Sequence, residues 1–240
     1  MDLDGLRAAG AVVKETLDAM QAAVRPGITT AELDAVAAEV FSRRGARSAP
    51  TLDYDFPGTT CISVNEEAVH GVPGPRRLEE GDLVKLDVTA ELNGWYADAC
   101  RTAFVGQPSA AAVRLVEAAE KALERALVTA TAGAPLNAIG ASVERTVQAR
   151  GFSVCEALSG HGIGRRIHEP PDVPNYYDPD LVEPLEEGTV MTIEPIIAAG
   201  DGEVVEESDG WTVRTADRSL SAHAEHTIVV TRGAPIVLTG

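Results

Sequence analysis

The stretch Glu-Glu-Gly-Asp-Leu-Val-Lys-Leu-Asp at residues 79–87 resembles Glu-Glu-Gly-Thr-Val-Met-Thr-Ile-Glu at residues 186–194. In each, a Glu-Glu-Gly turn precedes an apolar strand, and a carboxylate follows six residues after the glycine, at Asp87 and at Glu194. The segments lie 107 residues apart, and two helices followed by strands surround each of them. This pattern indicates an internal duplication. We therefore expect a single domain over residues 1–240, with two halves of similar plan at about 1–107 and 108–240.

Hydrophobic periodicity and turn residues define the elements of both halves. A capping box of Thr29 and Glu32 begins the second helix, and Asn93-Gly94 is typical of a hairpin turn. The expected helices cover residues 3–24, 30–44, 110–131 and 136–150. The expected strands cover residues 61–64, 83–89, 97–105, 152–157, 189–193 and 227–230. Helices followed by strands within each half indicate an α+β fold.

Composition excludes several classes of protein. The 240 residues are 45% hydrophobic and 24% charged, as in ordinary globular proteins. Lys and Arg number 20 and Asp and Glu number 37, which gives a net charge of −17, so we expect no nucleic-acid partner. The sequence has no run of about 18 apolar residues, and its three cysteines suit a reducing compartment. We expect a cytoplasmic protein without membrane contact.

The hairpin around Asn93-Gly94 places two carboxylates on one face of a sheet. Asp98 lies either directly opposite Asp87 or opposite Thr89, and both registers put the two aspartates on the same face. Their side chains are then about 5 Å apart in the first register and about 7–8 Å apart in the second. Like charges this close destabilise a sheet unless a bound cation or another group compensates them. The alternative is a solvated hairpin face with two unrelated aspartates.

Three other segments carry residues of related chemistry. His161 stands between two glycines, Glu194 ends an apolar strand, and Glu225 closely precedes another strand. Singly, each is more often a turn histidine or a strand-end carboxylate than a metal ligand. With the two hairpin aspartates they supply four carboxylates and one imidazole, which can bind two divalent cations if two carboxylates bridge. Oxygen ligands suit Mn(II) or Mg(II), and an imidazole favours Fe(II), Co(II) or Zn(II).

Five runs of residues carry these groups, in order along nearly the whole chain. They are Cys-Ile-Ser-Val-Asn-Glu to His-Gly at 61–71, Asp-Val-Thr to Asp at 87–98, Gly-His-Gly-Ile-Gly to His-Glu at 160–169, Thr-Ile-Glu-Pro at 192–195, and Asp-Gly-Trp-Thr-Val through Ser-Leu-Ser-Ala to Glu-His-Thr at 209–227. In this arrangement the chain resembles type I methionine aminopeptidases. The resemblance implies the pita-bread fold, in which two pseudo-symmetric halves surround a curved antiparallel sheet.

The resemblance also implies roles for individual residues. Two divalent ions (Co, Mn, Fe(II) or Zn) would be bound by Asp87, Asp98, His161, Glu194 and Glu225, with Asp98 and Glu225 bridging. The catalytic residues would be His70, His168 and Glu194. The residues in contact with the substrate would be His70, His168, Phe56, Ile167 and Trp211.

The activity implied by the resemblance is that of a metallo-aminopeptidase. A hydroxide that bridges the two ions would attack the first peptide bond, with Glu194 as a proton acceptor. The substrates would be N-terminal peptides and nascent proteins, from which the enzyme removes the initiator methionine. The family favours monomers, and we expect one here.

This chain departs from the family around the side-chain pocket. The departures are Pro50, Asp53, Tyr54 and Phe56 where the family's pocket uses a cysteine and tyrosines, Ile167 in place of a phenylalanine, and His223 in place of a glutamine. Such changes alter a pocket by an amount comparable to its discrimination, about 1–3 kcal/mol per methylene. Two alternatives therefore stay open: a specialised paralogue with another side-chain preference, and a non-catalytic pita-bread protein that binds a partner.

Overall fold

The structure is a computed structural model that describes residues 2–240, so that Met1 lies outside the described residues. The helices are α1 (Leu3–Ala23), α2 (Thr30–Arg44), α3 (Ala49–Tyr54), α4 (Ala110–Thr129) and α5 (Asn137–Gln148). The strands are β1 (Arg47–Ser48), β2 (Cys61–Val64), β3 (Glu67–Val69), β4 (Leu83–Leu92), β5 (Trp95–Phe104), β6 (Ser153–Val154), β7 (Ser159–Gly162), β8 (Glu169–Pro174), β9 (Val190–Ile193), β10 (Ile196–Ala198), β11 (Val204–Glu206), β12 (Val213–Thr215), β13 (Ser221–His223), β14 (His226–Val229) and β15 (Ile236–Val237).

Local side-chain chemistry determines where α2 begins and ends. The Thr29 hydroxyl accepts a hydrogen bond from the Glu32 amide (3.1 Å), and the Glu32 carboxylate accepts one from the Thr29 amide (2.8 Å). These two bonds satisfy amides that the helix leaves without partners, and they confirm the predicted capping box. The helix ends at Gly45, whose φ of 67° is a left-handed conformation that glycine adopts without steric cost.

The hairpin of β4 and β5 determines the relation between the first two carboxylates. Asn93 and Gly94 form its turn with φ angles of 52° and 80°, as a two-residue hairpin turn requires. The strands pair antiparallel in the register that places Asp98 opposite Thr89. Of the two registers expected, the second is therefore the one observed, and Asp98 is a diagonal neighbour of Asp87 on the same face.

The two Glu-Glu-Gly turns have the same geometry. Gly81 and Gly188 have φ angles of 92° and 94°. The Gly81 amide donates to the Val105 carbonyl (2.7 Å), and the Gly188 amide donates to the Val230 carbonyl (2.9 Å). Strands β4 and β9 begin two residues after these glycines. This correspondence supports the two pseudo-symmetric halves.

Each half has its own hydrophobic core between helices and strands. In the first half α1 packs between the hairpin and α2, and Val84, Leu86 and Val88 of β4 belong to that core. In the second half α4 packs on β10 and β13, and α5 packs on β6 and β8. Because side chains alternate along a strand, Lys85 and Asp87 lie on the opposite face of β4, away from the helices. That face borders the candidate site.

Hydrogen bonds between the halves lie directly beside that face. The Thr227 hydroxyl of β14 donates to the Asp98 carbonyl (2.7 Å) and accepts from the Asp98 amide (2.8 Å). The Glu225 amide donates to the Cys100 carbonyl (3.0 Å). The backbones of Asp98 and Glu225 are thereby held together, although the residues are more than 120 positions apart in the chain.

One expected strand is much shorter than predicted. In residues 152–157 only Ser153–Val154 is a strand, because the Cys155 carbonyl turns back to accept a bond from the Leu158 amide. Helix α3 and several short strands were not expected at all.

Within residues 2–240, no helix is long and apolar enough to cross a membrane. Over the same range the three cysteines are buried and form no disulfide.

Candidate metal centre and active site

A cavity of about 730 Å³ lies between the two halves. Every residue that the sequence analysis assigned to binding or catalysis lines it: Phe56, His70, Asp87, Asp98, His161, Ile167, His168, Glu194, Trp211 and Glu225. Of the residues that depart from the family pattern, Pro50, Tyr54 and His223 also line this cavity. The structure therefore brings together all of the predicted site residues.

Asp87 and Asp98 project from the hairpin into one end of the cavity. Burial raises the pKa of Asp87 well above its usual range, and the neighbouring charges of Asp98 and Glu194 raise it further. Burial also raises the pKa of Asp98, although a hydrogen bond from Thr89 opposes the shift. Protein groups alone therefore stabilise these two carboxylates poorly in their charged form.

The glycines beside His161 allow strands to pack closely around it. A Cβ atom at Gly160 would lie 2.8 Å from the Thr192 carbonyl, and one at Gly162 would lie 2.2 Å from the Pro170 carbonyl. The close approach of the neighbouring backbone is therefore the reason why glycine is needed at both positions. His161 is held by its own amide, which donates to the Thr192 hydroxyl (2.9 Å).

The ring of His161 is oriented toward the carboxylates. Nδ1 lies 3.0 Å from the Gly162 carbonyl, which can only accept a hydrogen bond, so the ring proton of the neutral imidazole is on Nδ1. Nε2 then carries a lone pair, and it lies 3.5 Å from Glu194 Oε1 and 4.0 Å from Asp98 Oδ2. Burial lowers the pKa of His161, which favours this neutral form. This arrangement is common for histidines that bind metals.

Glu194 and Glu225 enter the cavity from the second half. Glu194 follows β9, and its Oε1 accepts a hydrogen bond from the Thr192 hydroxyl (2.7 Å). Burial raises the pKa of Glu194 to about 8 despite this hydrogen bond. For Glu225, burial is again the main cause of a raised pKa, and the charges of Asp98, Glu194 and Asp87 add to it.

The donor atoms at this site fit divalent cations. Asp98 Oδ1 and Glu225 Oε1 are buried and have no hydrogen-bond partner in the described range 2–240. One ligand atom each of Asp98, His161 and Glu225 lies within 4.8 Å of the others. Leaving a buried polar atom without a partner costs about 1–3 kcal/mol. A divalent ion would supply the missing partner and compensate the repulsion among the carboxylates.

Two more histidines lie on the cavity wall beyond the carboxylates. His70 has a positive φ of 57° and follows β3, while a Cβ atom on Gly71 would lie 2.3 Å from the Ile62 carbonyl. His70 is open to the cavity, yet protein surrounds most of the ring and lowers its pKa. Burial, together with the neighbouring His161, also lowers the pKa of His168. Both rings are therefore neutral near pH 7.

His168 has a partner that the sequence analysis did not identify. The Tyr54 hydroxyl lies 2.6 Å from His168 Nδ1, and the ring of His168 packs edge-on against His161 with centroids 4.2 Å apart. Burial raises the pKa of Tyr54, so its hydroxyl stays protonated. Tyr54 and His168 are 114 positions apart, and no short motif links them.

Apolar side chains form the opposite wall of the cavity. The rings of Phe56 and Trp211 meet edge to face with centroids 5.2 Å apart, and Ile167 is almost fully buried beside the histidines. Asp53 does not line the cavity: one of its oxygens accepts from the Tyr96 hydroxyl (3.2 Å) and the other from the Ile167 amide (3.4 Å). The Asp53 carboxylate therefore lies outside the cavity lining, although its charge still acts on Tyr54 and His168.

The comparisons with known proteins agree with this site. The sequence matches metallopeptidase family M24 over residues 4–232. Methionine aminopeptidase 2 of Bacillus subtilis (strain 168) is 42% identical over 240 residues, which cover 99% of this chain and 96% of the relative. The methionine aminopeptidase of Escherichia coli (strain K12) is 39% identical, with coverage of 99% and 91%.

Solved structures give the same result. The crystal structure of methionine aminopeptidase from Rickettsia prowazekii superposes with a TM-score of 0.96 at 37% identity, covering 100% of this chain and 97% of that one. The prolidase from Pyrococcus furiosus has a TM-score of 0.80 at 24% identity and shares the fold.

The chain therefore belongs to metallopeptidase family M24 and has the pita-bread fold. Within that family, the relatives that it matches over nearly their full length are methionine aminopeptidases. Membership implies divalent metal ions, in agreement with the unpartnered carboxylate oxygens described above.

Proposed function

We propose that this chain is a metal-dependent aminopeptidase that removes methionine from the N-terminus of peptides and nascent proteins. The observation that carries this proposal is the convergence of four carboxylates and an imidazole at one cavity, with buried oxygens of Asp98 and Glu225 that lack partners in residues 2–240. Similarity to methionine aminopeptidases along 99% of the chain supports it.

In this proposal, five residues hold two divalent ions (Co, Mn, Fe(II) or Zn): Asp87, Asp98, His161, Glu194 and Glu225. Asp98 and Glu225 would contribute the buried oxygens that lack partners within residues 2–240. The bound ions supply a Lewis acid and lower the pKa of water to near neutrality. The protein holds the metal-binding side chains in position. The Gly162 carbonyl orients the ring of His161, and the Thr192 hydroxyl orients the carboxylate of Glu194.

Glu194 has a second role as the proton acceptor for the attacking water. The Thr192 hydroxyl donates to Oε1 and thereby fixes the orientation of this carboxylate.

His168 and His70 act on the peptide rather than on the ions. If Tyr54 donates its phenolic proton to His168 Nδ1, the proton of the neutral imidazole lies on Nε2. His168 Nε2–H can then donate a hydrogen bond to the substrate, where charge develops on the carbonyl oxygen. His70, which also lines the cavity, contacts the substrate in the same neutral form.

The apolar wall binds the first side chain of the substrate. Phe56 and Trp211 provide aromatic surface, and a thioether makes favourable contacts with such rings. Ile167 closes the pocket beside His168. The Asp53 carboxylate does not line this pocket, since it accepts hydrogen bonds from the Tyr96 hydroxyl and the Ile167 amide.

We also propose the setting in which the enzyme works. Residues 1–240 form one catalytic domain with pseudo-repeat halves at about 1–107 and 108–240, because each half supplies ion-binding side chains. The enzyme acts as a cytoplasmic monomer on nascent proteins. The net charge of −17 argues against nucleic acid as a partner.

A peptide panel tests the proposed function. Metal-stripped protein is supplied with Mn(II), Co(II) or Fe(II) and given Met-Ala-Ser, Leu-Ala-Ser and Ala-Pro peptides. Release of methionine from Met-Ala-Ser alone is the expected result. Equal cleavage of the first two peptides would favour a paralogue with another preference, and no cleavage with any metal would favour a binding protein.

A further inference from the structure

His223 lies beside the carboxylates with its position tightly fixed. It ends β13, lines the cavity and is 2% exposed. Its amide donates to the Thr102 hydroxyl (2.9 Å), and its carbonyl accepts from the same hydroxyl (2.8 Å). Its backbone also pairs with Ile196 of β10. The ring therefore has a defined place next to Glu194 and Glu225.

Both ring nitrogens of His223 lack a hydrogen-bond partner within residues 2–240. A neutral imidazole offers one N–H donor and one lone pair, and buried polar atoms in folded proteins are nearly always paired. If His223 served only for packing, its N–H group and its lone pair would both lack a hydrogen bond, which would destabilise the folded protein. The environment of this ring therefore points to a partner that is not a protein group.

The distances around Nε2 are those expected of ligands that share an ion. His223 Nε2 lies 3.6 Å from Glu225 Oε2 and 3.8 Å from Glu194 Oε2, too far for hydrogen bonds, which span about 2.7–3.2 Å. Two ligand atoms that are each about 2.1 Å from one ion lie about 3.0–4.2 Å apart for angles of 90–180°. His161 Nε2 shows the same spacing, at 3.5 Å from Glu194 and 4.0 Å from Asp98.

We propose that His223 is a nitrogen ligand to the ion that Glu194 and Glu225 help to hold, so that this centre has two imidazole donors. The inference rests on the proposed function, because it requires divalent ions at the site. A second imidazole favours Co(II), Zn(II) or Fe(II) over Mn(II), which prefers oxygen donors. His223 is then a residue that sets the metal preference of this chain.

The first test compares His223→Gln with His226→Gln. His226 is a matched control because its Nδ1 lies 2.9 Å from the Thr239 hydroxyl and already has a partner. Metal-stripped proteins are titrated with Co(II) and with Mn(II) by calorimetry, and the visible spectrum of bound Co(II) is recorded. We expect His223→Gln to weaken Co(II) binding at least tenfold at one site and to change the spectrum, with a smaller effect on Mn(II). His226→Gln should match the wild type.

An unchanged Co(II) affinity and spectrum in His223→Gln would overturn the inference and would favour a water between His223 and the carboxylates. If the wild type itself binds no Co(II) or Mn(II), the proposed function fails as well, so the two failures are distinguishable.

The second test needs no variant at position 223. Protein labelled with ¹⁵N at histidine is loaded with Zn(II), which is diamagnetic, and the ring nitrogens are followed by NMR. We expect the Nε2 resonances of both His161 and His223 to shift to values typical of metal-bound imidazole. A shift of His161 alone would contradict the proposal even if His223→Gln failed to fold.

Discussion

The Lys85 ammonium lies 3.1 Å from the Ser221 hydroxyl, in the buried space between the two halves of the molecule. Lys85 is 1% exposed and also donates to the carbonyls of Asn65 (2.6 Å) and Ser221 (3.3 Å). Lys85 is two residues before Asp87, and Ser221 is four residues before Glu225. This contact therefore ties together two segments that carry cavity-lining acids from different halves.

Replacement of Lys85 by methionine should destabilise the protein. Methionine keeps most of the volume but removes the donor for buried carbonyl oxygens, so we expect the free energy of unfolding to fall by about 1–3 kcal/mol. Urea unfolding of metal-stripped protein measures the change. The exposed Lys14 is a control, since Lys14→Met should stay within about 0.5 kcal/mol of the wild type. Equal stability of the two variants would show that the Lys85 contacts contribute little.

Glu91→Gln should lower the free energy of unfolding at neutral pH and change it little at acidic pH. Burial alone would raise the pKa of Glu91, but hydrogen bonds from Arg47 and the Gly94 amide lower it overall. An acid with a lowered pKa in the folded state stabilises the protein above its unfolded pKa of about 4.5, and this stabilisation is lost as the pH falls through the folded value. We expect a loss of about 1–2 kcal/mol at pH 7.

The measurement for Glu91 is urea unfolding at pH 7 and at pH 4. The difference between wild type and Glu91→Gln should shrink at the lower pH. A difference that is independent of pH would mean that the carboxylate charge is not its source.

Asp98→Asn should lower the metal content of the protein, whereas His70→Ala should leave it unchanged. Asp98 is proposed to bridge the ions, so Asp98→Asn should reduce the number of ions per chain. His70 is proposed to contact only the substrate, so His70→Ala should keep the ions and lower kcat/KM by about 10²–10³-fold. Elemental analysis and peptide hydrolysis on the same samples separate these effects. A metal-free His70→Ala protein would overturn the assignment of His70.

Metal occupancy should fall as the pH is lowered from 7.5 to 5. Burial raises the pKa of Glu194 to about 8, and the pKa values of Asp87, Asp98 and Glu225 are also raised. These carboxylates take up protons as the pH falls, and protons compete with ions for the same oxygens. Metal content after equilibration at the two pH values, with proton release recorded during titration, checks this. Equal occupancy at pH 5 and 7.5 would contradict it.

Tyr54→Phe should slow hydrolysis and leave metal content unchanged. The variant removes the hydroxyl next to His168 Nδ1 and with it the preference for a proton on Nε2. Loss of one hydrogen bond of about 1 kcal/mol corresponds to a fall in kcat of about fivefold. Tyr177→Phe is a matched control, because Tyr177 is 53% exposed and does not line the cavity. A Tyr54→Phe enzyme with full activity would remove Tyr54 from the mechanism.

Sequence predicted those parts of the fold that local chemistry determines. The capping box of Thr29 and Glu32, the end of α2 at Gly45 and the Asn93-Gly94 turn depend only on neighbouring residues, and the structure contains all of them. The hairpin register was left open because both registers put the aspartates on one face. The expected strand at 152–157 was wrong beyond Val154, since its apolar pattern does not reveal the turn at Cys155.

The candidate site was predicted as a set of residues but not as an arrangement. The sequence pattern indicated the four acids and His161, and the resemblance to type I methionine aminopeptidases added the other residues that the structure brings to one cavity. It did not reveal that Asp53 turns away toward Tyr96, or that Tyr54 meets His168 across 114 positions. These relations depend on how α3 packs against the second half, and no local pattern in the sequence encodes that packing.

The division of the acids between the hairpin and the second half has a thermodynamic consequence. If, as proposed, Asp87 and Asp98 hold the ions on one side and Glu194 and Glu225 on the other, ions bind only when both halves are folded and docked. Ligands of that kind add RT ln(1 + [L]/Kd) to the stability of the native state. The melting temperature of this protein should therefore rise with the concentration of free metal ions. A chelator should lower the melting temperature.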